Sequence, residues 1–183
     1  MTRNARSLAL LVSSLLLSSL ASAARARAQS DASVAQAITA DACARARAAQ
    51  EESSTTCRWR QASDSREELG VTLSLEAVTD LNGDGHPDYV VWIDSMMGAG
   101  PNLPGLVYVS TGPGAWHFVG EIVAGTSPTV LPGVHGGLRD IQAWCRESCC
   151  EHSITVYRFD GTEYRAHRTR IVDTETGRVV RAH

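Results

Sequence analysis

The chain of 183 residues contains no lysine; all 17 of its basic residues are arginine. They are scattered rather than grouped. Together with the abundance of alanine they read as a compositional bias, not as a phosphate-binding cluster. Aromatic residues make up only 5% and the formal net charge is −3, so a strongly basic nucleic-acid binder is not indicated. No H-E-x-x-H or similar spacing links His86, His117, His135, His152, His167 and His183, and neither Ser95 nor Ser110 lies in a nucleophile elbow. These absences remove the metallopeptidase and α/β-hydrolase signatures. What is present suits a globular domain. Hydrophobic residues reach 43% and charged residues 20%, a balance too apolar for a wholly disordered chain. The length fits about one domain.

Residues 1–28 read as a secretory signal peptide. Arg3 and Arg6 form a positive start, and Leu8 to Leu20 form an apolar run. At about 13 residues the run is right for a signal core and short of the roughly 18 that span a bilayer. Ala26-Arg27-Ala28 before Gln29 offers a small-x-small cleavage site, and Ala21-Ser22-Ala23 before Ala24 offers another. The competing reading is an N-terminal membrane anchor. The first cysteine is Cys43, too late for a lipid anchor, and the two arginines are not adjacent as a twin-arginine signal requires. Cleavage removes Arg3, Arg6, Arg25 and Arg27 and no acid, which takes the net charge from −3 to −7. A mildly acidic mature surface disfavours nucleic acid and anionic membranes as partners. The expected organisation is a signal peptide over 1–28, a helical and partly disordered region over 29–66, and a β domain over 67–183.

Five cysteines remain, Cys43, Cys57, Cys145, Cys149 and Cys150. In an exported chain disulfides persist, and an odd count leaves at least one cysteine free or paired elsewhere. A Cys43–Cys57 bridge is expected to pin the first helix to the segment after it. Around Cys145-Arg-Glu-Ser-Cys149-Cys150-Glu-His152 three readings stay open. They are a disulfide from Cys145 to Cys149 or Cys150 across a hairpin, a zinc site using the thiolates and His152, and a strained vicinal 149–150 bridge. The spacing is not the C-x2-C of common structural zinc sites.

The segment from Ser30 to about Gln50 is alanine-rich with Val34, Ile38 and Ala42 at helical spacing, and Asp31 or Ser33 can cap its start. From Val71 the period changes to two: Val71, Leu73, Leu75 and Ala77 alternate with Thr72, Ser74 and Glu76. Tyr89 to Ile93 is a continuous β-prone run, expected to be buried on both faces. Further strands are expected over Leu106–Ser110, Trp116–Val123, Ile141–Cys145, Ile154–Phe159 and Tyr164–Val172. Thr111 to Gly114 and Asp160-Gly161 supply hairpin turns. Asp94–Gly105 and Thr126–Gly137 read as long loops, where binding surfaces commonly sit. The fold class is therefore α+β and mainly β: one helix, then an antiparallel meander of seven or eight strands.

One motif carries chemistry. Residues 80–88 read Asp80-Leu81-Asn82-Gly83-Asp84-Gly85-His86-Pro87-Asp88. Oxygen-bearing side chains fall at positions 1, 3, 5 and 9, and a glycine sits at position 6, where a calcium loop turns sharply. Ca²⁺ takes six to eight hard oxygen ligands, and alternating carboxylates on a tight loop point at one centre. An EF-hand does not fit, because its twelfth position is Val91 rather than Glu and a strand follows instead of a helix. The loop between two strands resembles the calcium loop of the FG-GAP and VCBS repeat families, D-x-[DN]-x-D-G-x-x-D followed by an apolar strand. Asp80, Asn82, Asp84, Gly85 and Asp88 match it position by position. The resemblance implies Ca²⁺ bound by the side chains of Asp80, Asn82, Asp84 and Asp88 and by the main chain of His86. It covers about 20 residues closely and extends only loosely to the chain end, where Ser153 to Tyr164 looks like a closing hairpin. Only one such loop is present, so a full propeller is not expected.

Other residues read as structural. His135 falls in a flexible glycine-rich stretch, and Asp140 and Asp160 read as strand-end and turn residues. Trp59, Trp92, Trp116 and Trp144 can form a carbohydrate-stacking face, but at strand spacing they suit core packing better. The expected function is a secreted, periplasmic or extracellular, calcium-binding module without catalysis, whose partner is a protein or a glycan. No nucleic acid and no stable membrane insertion after signal cleavage are expected. The alternative is a secreted enzyme or enzyme inhibitor on the same scaffold.

Overall fold

The computed structural model describes residues 32–49, 56–60, 70–96 and 102–183. The signal segment over 1–28, the turn after the first helix and part of the 94–105 loop lie outside the described residues. The chain divides into two compact units, Met1–Gln36 and Ala37–His183. Of the first, residues 32–36 are described and are helical. All contacts that follow belong to the second.

Helix α1 covers residues 32–49. Ile38, Ala42 and Ala46 are buried, one residue per turn along a single face. Polar residues beside that stripe reach the sheet. Thr39 Oγ1 accepts a hydrogen bond from Trp59 Nε1 at 2.9 Å. Asp41 Oδ2 accepts from Arg45 Nε at 2.8 Å and from the Tyr108 hydroxyl at 2.7 Å. The Arg45 guanidinium lies 3.5 Å from the centre of the Phe118 ring, a cation–π contact. Burial tends to raise the Asp41 pKa, but the bonds from Arg45 and Tyr108 prevail and hold it below the usual value. The expected Cys43–Cys57 disulfide is present, with Cα atoms 5.9 Å apart and a sequence separation of 14. It fastens α1 to the first strand. Replacing both cysteines by alanine is expected to lower the unfolding free energy by about 3 kcal/mol on the loop-closure argument, read from urea denaturation midpoints.

The protein is mainly β, with one α-helix among the described residues and one ten-stranded sheet. The strands are β1 (Cys57–Trp59), β2 (Val71–Val78), β3 (Asp88–Ile93), β4 (Leu103–Gly112), β5 (Ala115–Ala124), β6 (Thr129–His135), β7 (Leu138–Arg146), β8 (Glu151–Phe159), β9 (Tyr164–Asp173) and β10 (Val179–Ala182). Their order across the sheet is β1-β2-β3-β4-β5-β9-β8-β7-β6, with β10 paired to β9. Two antiparallel meanders, β2–β5 and β6–β9, stand in series and meet at one parallel bridge, Gly120 with Tyr164. The sheet is thus mixed rather than wholly antiparallel, since β1 also runs parallel to β2. The seven strands expected from the sequence are all there, and β1, β6 and β10 add to them. The stretch 126–137, read as a loop, contains β6. Its Pro132 is tolerated because β6 is the last strand of the sheet and leaves one side unpaired.

The first meander is covered on both faces. Tyr108 reaches the helix, and the register Val91↔Leu106 and Tyr89↔Tyr108 puts those four side chains on that face. The other face carries Val90, Trp92, Val107 and Val109. These join Ile122 of β5, Leu138, Ile141 and Ala143 of β7 and Tyr164 of β9 in one apolar core. Every residue of β3 is buried, as the continuous apolar run implied. Each fully buried branched side chain in such a core contributes roughly 1.5–3 kcal/mol. The second meander therefore folds back over the first, and the backbone bonds Gly125 N–H to Trp144 O (2.6 Å) and Arg139 N–H to Leu81 O (2.9 Å) close the approach.

Candidate metal centre

The 80–88 segment connects β2 to β3 and packs into this junction. Leu81 is 1% exposed and belongs to the shared core, while its carbonyl accepts the Arg139 amide of the second meander. Asp88, the first residue of β3, is fully buried. Its Oδ2 accepts the Leu81 N–H at 2.5 Å and its Oδ1 accepts the Ser110 N–H at 2.8 Å. Asn82 donates to the Ser110 carbonyl at 2.8 Å. The loop is thereby tied to β3, β4 and β7 at once.

The remaining side chains curl the loop on itself. Asp80 Oδ1 accepts the amides of Gly83 (2.6 Å) and Asp84 (3.2 Å), and its Oδ2 accepts that of Gly85 (2.9 Å). Asp84 Oδ1 accepts the His86 amide at 2.8 Å, and its Oδ2 lies 3.2 Å from the Asn82 amide nitrogen. Asn82 Oδ1 accepts the Asp84 amide at 3.0 Å. Gly83 and Gly85 have φ of 79° and 83°, a conformation that glycine adopts without a Cβ penalty. The His86 amide holds the Asp84 carboxyl below its usual pKa. Burial pushes Asp88 up, and the charges of Asp80 and Asp84 add to that rise against the two amides. The sum is a cup of like charge, and among the described residues no arginine forms an ion pair with Asp80, Asp84 or Asp88.

The structure thus brings Asp80, Asn82 and Asp84 together in one exposed turn and sets Asp88 at its buried base. The His86 ring is exposed, and its main chain joins the turn. The donor set is all oxygen, which is the chemistry Ca²⁺ selects. Each carboxylate oxygen offers about two acceptor sites, so Asp80 Oδ2 and both Asp84 oxygens retain capacity after their amide bonds. The residues fit the ion in kind. Their carboxylates point at backbone amides, and among the described residues no three His, Cys, Asp or Glu side chains are grouped to hold a metal.

The same finding covers the Cys145–His152 cluster: among the described residues its thiols and imidazole are not grouped to hold zinc. Cys145 is a buried free thiol that donates to the Val123 carbonyl at 3.2 Å. The bridge from Cys145 to Cys149 or Cys150 is therefore absent. The alternation Ile141, Ala143, Cys145 along β7 turns that sulfur to the core, away from the hairpin tip.

A second polar constellation was not legible as such. His135 and Leu138 flank a two-residue turn, Gly136-Gly137, with φ of 59° and 94°, the signature of a tight hairpin. The turn carries the His135 Nδ1 to 2.6 Å from Asp140 Oδ1, and Arg158 Nε lies 3.3 Å from Oδ2. Asp140 is 4% exposed. A buried carboxylate thus orients an imidazole that stays partly open to solvent. His135 is the last residue of β6 rather than part of a loop, and Asp140 lies within β7 rather than at its end. The Gly-Gly dipeptide between two β-prone stretches was the available signal. The four tryptophans do not make one face. Trp59 bonds Thr39, Trp92 donates to Glu76 at 2.6 Å, Trp116 meets Tyr89 edge-on and Trp144 lies beside His152. Trp92 and Glu76 line a cleft of about 160 Å³ with Ser74, Asp94 and Thr126.

Among the described residues no helix is long and apolar enough to cross a membrane. Comparison with known proteins gives no match: no family model, no curated protein and no solved structure matches this chain.

Proposed function

We propose that the protein is a secreted module of the FG-GAP/VCBS type, stapled by Ca²⁺ at residues 80–88, which binds a protein or glycan partner without catalysis. The observation that supports this reading is the position of the loop. Among the described residues no arginine pairs with its carboxylates, and its backbone fastens both meanders through Leu81, Ser110 and Arg139. Bound Ca²⁺ supplies the positive charge. Asp80, Asn82, Asp84 and Asp88 would hold the ion by their side chains and His86 by its main chain. The disulfide of α1 suits an oxidising compartment.

Sites of this extracellular kind bind with a Kd of about 10⁻⁴–10⁻³ M. At about 10 mM Ca²⁺ the folded state then gains roughly 1.4–2.7 kcal/mol over EDTA, a rise in Tm of roughly 3–10 °C for a domain of this size. Asp84→Ala, at an exposed position, folds and loses the rise. An equal Tm in Ca²⁺ and EDTA for the unaltered protein removes the calcium reading.

The His135–Asp140–Arg158 arrangement favours one second reading, a secreted enzyme using His135 in proton transfer. A turnover lost in His135→Ala at unchanged Tm is the result that selects it.

A further inference from the structure

We propose that Cys149 and Cys150 form a two-electron redox site, a vicinal dithiol at the tip of the β7–β8 hairpin that closes to a disulfide by exchange with a low-molecular-weight disulfide. This site is independent of the calcium loop. The five cysteines sort into three environments: Cys43–Cys57 is bridged, Cys145 is buried with its thiol on Val123 O, and Cys149 and Cys150 are exposed. The two exposed sulfurs lie 2.7 Å apart.

The turn holds them side by side. The amides of Glu147 and Ser148 donate to Glu151 O at 3.0 and 3.1 Å. Ser148 Oγ accepts the amides of Cys150 and Glu151 at 3.2 and 3.0 Å. The Cys150 carbonyl accepts the Thr174 amide at 2.8 Å, which anchors the tip to the β9–β10 turn. Neighbouring cysteines have Cα atoms about 3.8 Å apart, closer than the roughly 4.4–6.8 Å of relaxed disulfides. A bridge formed here is strained and readily reduced, the property of exchangeable rather than structural disulfides.

The exchange proceeds in two steps. The Cys149 thiolate attacks one sulfur of the incoming disulfide and expels one thiolate, leaving a mixed disulfide on Cys149. The Cys150 thiolate then attacks Cys149 Sγ, forms the 149–150 bond and expels the second thiolate. The pair loses two electrons, the incoming disulfide gains them, and the two cysteine protons leave on the two released thiols. The hydrogen bond and charge of Cys149, with Asp173 and Glu151 nearby, push the Cys150 thiol up, which suits Cys150 to the second, resolving step.

The test uses the full chain, mildly reduced so that Cys43–Cys57 stays bridged, then exposed to oxidised glutathione and quenched by alkylation. Peptide and intact masses are expected to show loss of two hydrogens at 149–150 without a glutathione adduct, reversed by millimolar thiol. Cys150→Ser is expected to stop at the mixed disulfide on Cys149 and keep the adduct at least about tenfold longer, because it lacks the adjacent resolving sulfur. Stable adducts on the unaltered protein, a bridge to Cys145, or two thiols that do not react would each overturn the proposal.

Discussion

Asp88→Ala is expected to cost about 4 kcal/mol, seen as a large fall in the urea midpoint. The substitution strips the acceptor from two buried amides, Leu81 N–H and Ser110 N–H, and each unsatisfied buried donor costs about 1–3 kcal/mol. It also frees Leu81, whose side chain is in the shared core and whose carbonyl holds Arg139, so both meanders loosen together. Asp88→Asn separates the contributions. Its single carbonyl oxygen serves one amide while its NH₂ faces the other, so it loses about half as much. The expected order of stability is unaltered protein, then Asn, then Ala. If Ala and Asn both come within about 0.5 kcal/mol of the unaltered protein, the amides have other acceptors and the loop does not fasten the halves.

The pH dependence follows from the direction of the Asp88 shift. Burial and the like charges of Asp80 and Asp84 raise its pKa above 3.8 in the folded state. A raised folded pKa gives a contribution that is complete below 3.8 and is lost as pH rises through the higher folded value. In EDTA, the stability margin of the unaltered protein over Asp88→Asn should therefore narrow as pH climbs above the normal carboxyl range. The proposed Ca²⁺ acts against this loss, since it binds the ionised carboxylates, and the margin should then hold. A margin that widens with pH in EDTA would mean that Asp88 is stabilised as an anion by something other than the two amides.

What was legible in the chain follows the range of the interactions. β2 announced itself by alternation and β3 by an unbroken β-prone run, both visible within eight residues. β1 and β10, at three and four residues, are too short to display a period. β6 hid behind Pro132 and Gly133, which mark an edge strand with an irregular register as readily as a loop. The 80–88 loop was legible as a pattern of oxygens. Its role as a fastener was not, because Ser110 and Arg139 are distant in sequence and their amides carry no sequence signal. Proximity along the chain offered Cys149 or Cys150 as a partner for Cys145, which is a free buried thiol. The period of two through Ile141 and Ala143 placed its sulfur in the core, and that signal outweighed proximity along the chain.

The β5–β9 pairing between the two meanders passes through one glycine. Gly120 has φ of 128° and forms the parallel bridge to Tyr164. A Cβ at this position would sit 2.5 Å from the Tyr164 nitrogen and 3.1 Å from its Cβ. The obstacle is backbone, which cannot rotate aside. Tyr164 is itself fixed, 3% exposed in the core with its hydroxyl donating to Arg139 O at 2.6 Å. Gly120→Ala therefore combines a strained conformation, about 1–3 kcal/mol, with an overpacked contact of about 1–3 kcal/mol. A loss near 4 kcal/mol is expected, a fall in Tm of roughly 8–16 °C for a domain of this size. Gly112→Ala is the control. Its φ is 138° but nothing lies within 4 Å of the added carbon, so it bears the conformational cost alone. The difference between the two variants measures the clash at the bridge. Ca²⁺ should not restore Gly120→Ala to the unaltered midpoint, because the loop fastens the meanders at Leu81 and Arg139 and leaves the β5–β9 contact open. Equal losses for the two variants would show that β9 can move away from β5 without cost, and that the shared core and the Leu81–Arg139 bond hold the halves together.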